Sequence, residues 1–128
     1  MYKPKLEKDI RCPLEYGLSV FGGKWKSRVI CVLAEKGRLR YSSIRREMAK
    51  ITDAVLAATL KELMNDDMIE RQQFDEIPPR VEYGLTEKGR SVVPILQTIC
   101  EWSGAYHQVD NEHTMSQCQT CDYNRQDR

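Results

Sequence analysis

Five cysteines carry the most reactive side chains of this chain, at positions 12, 31, 100, 118 and 121. An odd number cannot pair completely in disulfides, and the first ten residues lack the apolar core of a signal peptide. No apolar run reaches the roughly 18 residues that a membrane span requires. We therefore expect a cytoplasmic protein with reduced thiols and no membrane association, in which redox and metal-binding roles are both open.

Cys12 stands directly before Pro13, which suits the first position of a helix because its missing N–H has no intrahelical partner there. The helix dipole favours the thiolate form of a cysteine at such a position, and nearby cations, here Arg11 and Lys8, act in the same direction. The alternative is that Cys12 merely starts a helix and is chemically silent. Cys31 falls inside the second predicted helix, where an inert packing role is expected.

Cys118 and Cys121 form a C-x-x-C pair in a polar segment. The pair supplies two of the four ligands of a structural zinc site, and the six-residue spacing of His107 and His113 makes a weak case for the others. A thioredoxin-like motif requires a strand before the pair and a helix after it, and neither is predicted. An unstructured thiol pair, an accessory redox pair and a metal site remain alternatives, so we assign no metal ligands.

No catalytic centre and no cofactor are predicted. Residues 17–24 resemble a phosphate-binding loop, but the spacing is one residue too long, and Trp25 stands where Ser or Thr would bind magnesium. No Ser–His–Asp set and no carboxylate pair are grouped by the predicted fold. We expect a binding protein rather than an enzyme.

Positive charge is concentrated in the middle of the chain. Residues 24–50 contain nine Lys and Arg against two Glu, a net charge of +7, whereas residues 101–128 carry a net charge of −3 and the whole chain +1. This asymmetry favours a face that binds a polyanion, with an ordinary solvated face as the alternative.

Apolar residues repeat at helical spacing in four segments before residue 66, and glycines at 22–23 and 37 separate the first three. Ser42 is predicted to cap the third helix, and Thr52 or Asp53 the fourth. The fourth helix has its apolar stripe at Leu56, Leu60, Leu63 and Met64.

Two strand-like runs follow, MIERQQF and RVEYGL, separated by the five residues Asp75 to Pro79. In the second run Val81, Tyr83 and Leu85 alternate with Arg80, Glu82 and Gly84. Thr86 is then predicted to cap one long helix that runs to about Tyr106 and bends at Pro94.

These elements predict a mainly α fold with a small antiparallel β-hairpin (α+β). The order is that of a winged helix-turn-helix with one helix added at each end, and the hairpin is the wing. The domain is expected over residues 1–110, followed by a polar, flexible tail over residues 111–128.

Such a fold binds double-stranded DNA by placing a helix in the major groove. Ala54, Ala57 and Ala58 leave the outer face of the fourth helix open for close approach, and the preceding helix places its arginines where phosphates lie. Arg80, beside the paired prolines of the wing, is expected to enter the neighbouring minor groove. The predicted DNA-binding residues are Ser42, Ser43, Arg45, Arg46, Lys50, Thr52, Asp53, Ala54, Ala57, Ala58, Lys61, Pro79 and Arg80.

The segments FGGKWKSRVICVL, GRLRYSSIRREMAKIT, LKEL and EIPPRVEYGLTEKGR together resemble the HxlR family of bacterial winged-helix transcription regulators, over roughly residues 10–106. The resemblance implies a homodimer, built through the terminal helices, that binds palindromic DNA as a repressor or an activator. Gly84 departs from the family, because many members carry serine there.

The last predicted helix indicates dimerisation independently, because its apolar residues are too many for one small domain to cover. The predicted dimer residues are Leu14, Val92, Leu96, Ile99, Trp102 and Tyr106, with Ile95 on the same arc.

Thiol-sensing members of the family carry a cysteine at the start of the first helix. The resemblance therefore implies that Cys12 senses an oxidant or a small electrophilic effector, with Cys100 as its cross-subunit partner. Two alternatives are a regulator of the same fold without thiol sensing and a winged-helix protein–protein adaptor. An adaptor would need an apolar or acidic outer face on the fourth helix, and alanines with Lys61 beside a basic block disfavour it.

Overall fold

The computed structural model describes residues 9–107, so the predicted tail with Cys118 and Cys121, His113, and Lys8 lie outside the described residues. Within residues 9–107, no helix combines the length and the apolar character needed to cross a membrane. The elements are α1 (Pro13–Phe21), α2 (Lys24–Lys36), α3 (Tyr41–Met48), α4 (Asp53–Asn65), β1 (Ile69–Phe74), β2 (Arg80–Leu85), α5 (Glu87–Ser91) and α6 (Val93–Gly104).

The ends of the first two helices follow the predicted signals. Pro13 is the first residue of α1, with Cys12 as its extended N-cap residue. Gly37 ends α2 with a φ of 82°, a left-handed conformation that glycine adopts without strain. One predicted cap is wrong: α3 begins at Tyr41, after Arg40, and Ser42 lies in its first turn. The start of α3 is set instead by a backbone bridge between Leu39 and Tyr83 and by the anchored Tyr41 side chain.

Helices α2, α3 and α4 enclose the core together with the base of the hairpin. Thr52 caps α4, since its hydroxyl accepts the Val55 N–H at 3.2 Å, which selects Thr52 over Asp53. The predicted stripe is confirmed for Leu56, Leu60 and Leu63, which are buried, while Met64 is half-buried. The remaining core residues are Val20, Val29, Ile30, Val32, Leu33, Ile44, Met48, Ile51, Met68, Ile69, Leu85, Val92 and Leu96.

The wing is an antiparallel hairpin that pairs Ile69 with Leu85 at its base and Phe74 with Arg80 at its outer end. The loop between the strands is residues 75–79, as predicted. The predicted alternation is wrong at Gly84, which is buried because the Arg38 side chain crosses it. A Cβ atom at Gly84 would lie 2.8 Å from the nearest Arg38 nitrogen, so the glycine provides the space that this arginine occupies.

The predicted single C-terminal helix is divided into α5 and α6 at Val92. Pro94 accounts for the break, because it has no N–H to donate to the carbonyl four residues earlier. Thr86 caps α5 as predicted, its hydroxyl accepting the Gly89 N–H at 3.0 Å. The helix ends at Gly104 rather than at Tyr106.

Candidate nucleic-acid interface

The outer face of α4 consists of small and polar side chains. Ala54, Ala57, Ala58 and Lys61 are exposed, because the apolar stripe on the opposite side of the helix fills the core. Nothing larger than a methyl group projects from the three alanines. The backbone of α4 can therefore approach a surface closely along this face, as the sequence predicts.

Helix α3 presents Arg45 and Arg46 to solvent, while Ile44 and Met48 anchor it in the core. Lys50 is exposed in the short connection to α4. The guanidinium of Arg46 lies 3.4 Å from the hydroxyl of half-buried Ser43. These cations form a positively charged border along one side of α4, with exposed Ser42 beside them.

Asp53 joins α3 to α4. Its carboxylate lies 2.8 Å from Arg45 Nε and accepts a hydrogen bond from the Tyr41 hydroxyl at 3.2 Å. Burial raises the pKa of Tyr41, and the charge of Asp53 raises it further. Asp53, predicted as a DNA contact, therefore orients Arg45 in this structure. The role of Tyr41 was missed, because it depends on a contact between two helices that periodicity does not report.

Arg80 lies along the wing rather than projecting from it. Its guanidinium stacks over Phe74, 4.1 Å from the ring centroid, and lies 2.9 Å from a Glu76 carboxylate oxygen. Arg80 Nε is 3.7 Å from Glu82, and the side chain is 30% exposed. Contacts within the wing therefore hold the Arg80 side chain in place. To enter a minor groove, this side chain must first leave Glu76. Pro79 and Ile77 are exposed in the loop, and the apolar tip at Ile77 was not predicted.

The terminal helices expose large apolar side chains, in contrast to α4. Leu14 on α1 is 69% exposed, and Trp102 and Tyr106 are 68% and 79% exposed with their rings 5.4 Å apart. Ile99 is exposed on the same stretch. Further exposed residues of this kind are Leu18 on α1 and Ile95 on α6.

Two of the predicted dimer residues lie elsewhere. Val92 is 5% and Leu96 8% exposed, and both pack in the core of their own chain. The predicted arc is therefore divided: its edge at Val92 and Leu96 packs in the core, and its edge at Ile99 and Trp102 is exposed. Leu14, Ile99, Trp102 and Tyr106 remain available for a second subunit.

The two cysteines predicted to act in redox chemistry, Cys12 and Cys100, are both exposed thiols. Cys12 precedes α1, and its carbonyl accepts the backbone N–H of Tyr16 at 3.3 Å. The guanidinium of Arg11 pairs with the carboxylate of Asp9, 3.1 Å away. Cys31 is half-buried against the core.

Comparison with known proteins identifies the family and the functional class of this chain. The family model described as HxlR-like helix-turn-helix matches residues 20–111. An HTH-type transcriptional regulator from Methanothermobacter thermautotrophicus is 50% identical over 95 residues, which cover 74% of this chain and 72% of that protein. The solved structure of the redox regulator HypR in its oxidized form matches 77% of this chain and 100% of that chain, at 38% identity and a TM-score of 0.67.

The transcriptional regulator YodB of Bacillus subtilis in its reduced form is similar as well. The match covers 77% of this chain and 97% of the YodB chain, at 33% identity and a TM-score of 0.70. A helix-turn-helix binds DNA with its second helix in the major groove, and α4 is the second helix of that motif here. The chain belongs to the HxlR-like helix-turn-helix family and is a DNA-binding transcriptional regulator, not an enzyme.

Proposed function

We propose that this regulator acts in the cytoplasm as a homodimer on a palindromic operator, and that oxidants or electrophiles control its DNA occupancy through Cys12. The observation that carries the proposal is the pairing of two unlike surfaces in one chain. One is the small-residue face of α4 beside a basic border, and the other is the exposed apolar surface of α1 and α6.

DNA binding is assigned to α4, α3 and the wing. A helix with its side chains is about 10–12 Å wide and fits the major groove, which is about 12 Å wide. Ala54, Ala57 and Ala58 permit close contact with base edges and thymine methyl groups, and Lys61 is within reach of a guanine or a phosphate. Arg46 and Lys50 hold the register on the backbone.

Dimerisation is assigned to Leu14, Ile99, Trp102 and Tyr106. Side chains of this size are rarely exposed together on a monomer. A two-fold axis brings the same surface of two chains together and makes the contact self-complementary. The two α4 helices then address half-sites about 34 Å apart, one turn of DNA.

Thiol sensing is assigned to Cys12, with Cys100 of the second subunit as its partner. Cys12 is exposed at the start of α1, and Cys100 is exposed on α6, so both thiols lie on the helices assigned to the dimer contact. When the two thiols form a disulfide, two S–H bonds break and one S–S bond forms, and two electrons and two protons pass to the oxidant, for example to a quinone that becomes a hydroquinone. The similarity to the redox regulator HypR supports this assignment.

The test measures mass by light scattering and affinity for duplexes selected from a random-sequence library, with and without diamide. We expect a dimer that binds a palindrome, and an affinity that changes on oxidation in the wild type but not in Cys12→Ser. A monomer at micromolar concentration contradicts the dimer. Equal responses of the two proteins to diamide would identify a regulator without thiol sensing at Cys12.

A further inference from the structure

Helix α4 has a second border, on the side away from α3. There the start of α2 faces α4 across a shallow cleft that opens on the small-residue face. The cleft is lined by Gly22, Trp25, Lys26, Ala54, Val55, Ala58, Thr59 and Glu62. Because Ala54 and Ala58 belong to both the cleft and the outer face of α4, whatever contacts that face passes beside Trp25.

Two cations flank the indole ring of Trp25 at this border. Lys24 Nζ lies 4.6 Å from the ring centroid and the guanidinium carbon of Arg28 lies 5.3 Å from it. Within residues 9–107, neither Lys24 nor Arg28 forms an ion pair with a carboxylate. The ring restricts both side chains through cation–π attraction and leaves their charge unneutralised.

The neighbouring cation, Lys26, is paired with a carboxylate. Its ammonium group lies 3.2 Å from Glu62 on α4 and donates a hydrogen bond to the Ser19 carbonyl at 2.8 Å. The pair Lys26–Glu62 therefore links the first turn of α2 to the third turn of α4. The buried residues Val29, Ile30, Val32 and Leu33 anchor α2 in the core. Lys24 and Arg28 therefore keep their position relative to the outer face of α4 with or without this pair.

A helix that fills the major groove has one phosphate backbone on each side, because its width is about that of the groove. The border formed by α3 faces one backbone. The start of α2, on the opposite side of α4, then faces the other. Unpaired positive charge at that place complements the phosphates of the second strand.

We propose that Lys24, Trp25 and Arg28 form a second surface that contacts the sugar-phosphate backbone of duplex DNA, across α4 from Arg45 and Arg46. This inference rests on the DNA-binding role proposed for α4 and adds the strand that this side of the protein contacts. Lys24 and Arg28 neutralise phosphates, and Trp25 holds the two cations in place.

The test is the salt dependence of binding to a mixed-sequence duplex of about 30 base pairs, long enough for two half-sites one turn apart. Each lost phosphate contact reduces the slope of log Kobs against log salt concentration by about 0.9. We expect Lys24→Gln with Arg28→Gln to flatten the slope by about 3.6, because the dimer carries each of the two residues twice. Lys36→Gln, at the far end of the same helix, is the matched control and leaves the slope unchanged.

A second variant tests the same border in the opposite direction. Glu62→Gln removes the carboxylate that pairs with Lys26, so we expect a slope steeper by up to about 1.8, one added phosphate contact in each subunit. Thermal unfolding followed by circular dichroism checks that each variant is folded. An unchanged slope in both Glu62→Gln and the double variant would place this border away from the phosphates and overturn the inference.

The remaining outcomes separate the inference from the proposed function. A wild-type protein that binds with no salt dependence contradicts DNA binding through α4, and the inference with it. A steep wild-type slope that the double variant keeps overturns the inference alone. If Lys36→Gln flattens the slope equally, the inference is overturned as well, because the change then comes from net charge rather than from this surface.

Discussion

The region around α4 and the region formed by α1 and α6 differ in the side chains that their helices expose to solvent. Helix α4 buries Leu56, Leu60 and Leu63 in its own chain, and its outer face exposes alanines and Lys61. Helices α1 and α6 expose residues as large as Leu14 and Trp102. The first arrangement is complete in one chain and suits a polar partner, whereas the second indicates a second apolar surface.

The two regions also differ in how their charges are held. Carboxylates on α4 orient cations of the adjoining helices, Lys26 on α2 and Arg45 on α3. On α6 the only charged residue is Glu101, so burial of this surface removes few charges from water. The difference indicates electrostatic recognition at one region and hydrophobic association at the other.

The strongest test of this comparison breaks the apolar surface. We expect Ile99→Asp with Trp102→Asp to yield monomers, because two buried carboxylates cannot be compensated at a two-fold contact. Affinity for a two-half-site duplex should fall by about 10²–10⁴-fold, the gain that linking two binding modules provides. Light scattering and fluorescence anisotropy measure both effects. Glu101→Gln on the same helix is the control, and a dimer that survives both aspartates contradicts the assignment.

The second test sharpens the division within the C-terminal segment. Leu96→Ala should lower the free energy of unfolding by about 2–5 kcal/mol, because it leaves a cavity in the core of each chain. Ile99→Ala should weaken association of two chains and leave the stability of the monomer unchanged. Denaturant unfolding at several protein concentrations separates the two. If the loss of stability in Leu96→Ala instead depended on protein concentration, Leu96 would belong to the dimer contact.

The sequence predicts the first region better than the second for a physical reason. The stripe on α4 repeats without interruption, so spacing alone identifies its buried and exposed faces. In the C-terminal segment the apolar arc is broader than the part of α6 that packs on the core, so Leu96 is buried while Ile99 and Trp102 on the same helix are exposed. Pro94 gives a signal for the break at Val92, but not for the direction in which the chain continues.

Contacts between elements were the other features that the sequence left open. The roles of Ser42, Asp53 and Arg80 were assigned from their place along the chain. The pairing of Asp53 with Tyr41 and Arg45 depends on the angle between α3 and α4, and that of Arg80 with Glu76 on the shape of the wing loop. Residue spacing along one element predicts neither the angle between α3 and α4 nor the shape of the wing loop.

The wing provides a third and smaller test, on the side of the molecule that binds DNA. Arg80→Ala should weaken binding by about 1–3 kcal/mol if the arginine enters a groove. Glu76→Gln should strengthen binding, because it removes the partner that holds Arg80 on the wing and also removes a negative charge. Arg71→Ala, on the exposed side of β1, is the control. Equal affinities of the wild type and Arg80→Ala would exclude a groove contact by this residue.

The smallest expected effect concerns the joint between the two regions. The Tyr16 hydroxyl on α1 accepts a hydrogen bond from Lys88 Nζ at 2.8 Å, and Lys88 also donates to the carbonyl of Asp66 at the end of α4, at 2.8 Å. We expect Tyr16→Phe to lower the free energy of unfolding by less than about 1 kcal/mol, because the bond lies at the surface. Tyr106→Phe is the control, since the Tyr106 hydroxyl has no hydrogen-bond partner among residues 9–107.

The pH dependence of that effect distinguishes the hydrogen bond from a change in packing. The bond with Tyr16 raises the pKa of Lys88 above the ordinary lysine value of 10.5. A folded-state pKa above the unfolded one stabilises the protein below that ordinary value, and the stabilisation is lost as pH rises through the folded-state pKa. The difference between wild type and Tyr16→Phe in chemical unfolding should therefore be present at pH 8 and diminish above about pH 10.5. A difference that stays constant over this range would assign the effect to the ring contact of Tyr16 instead.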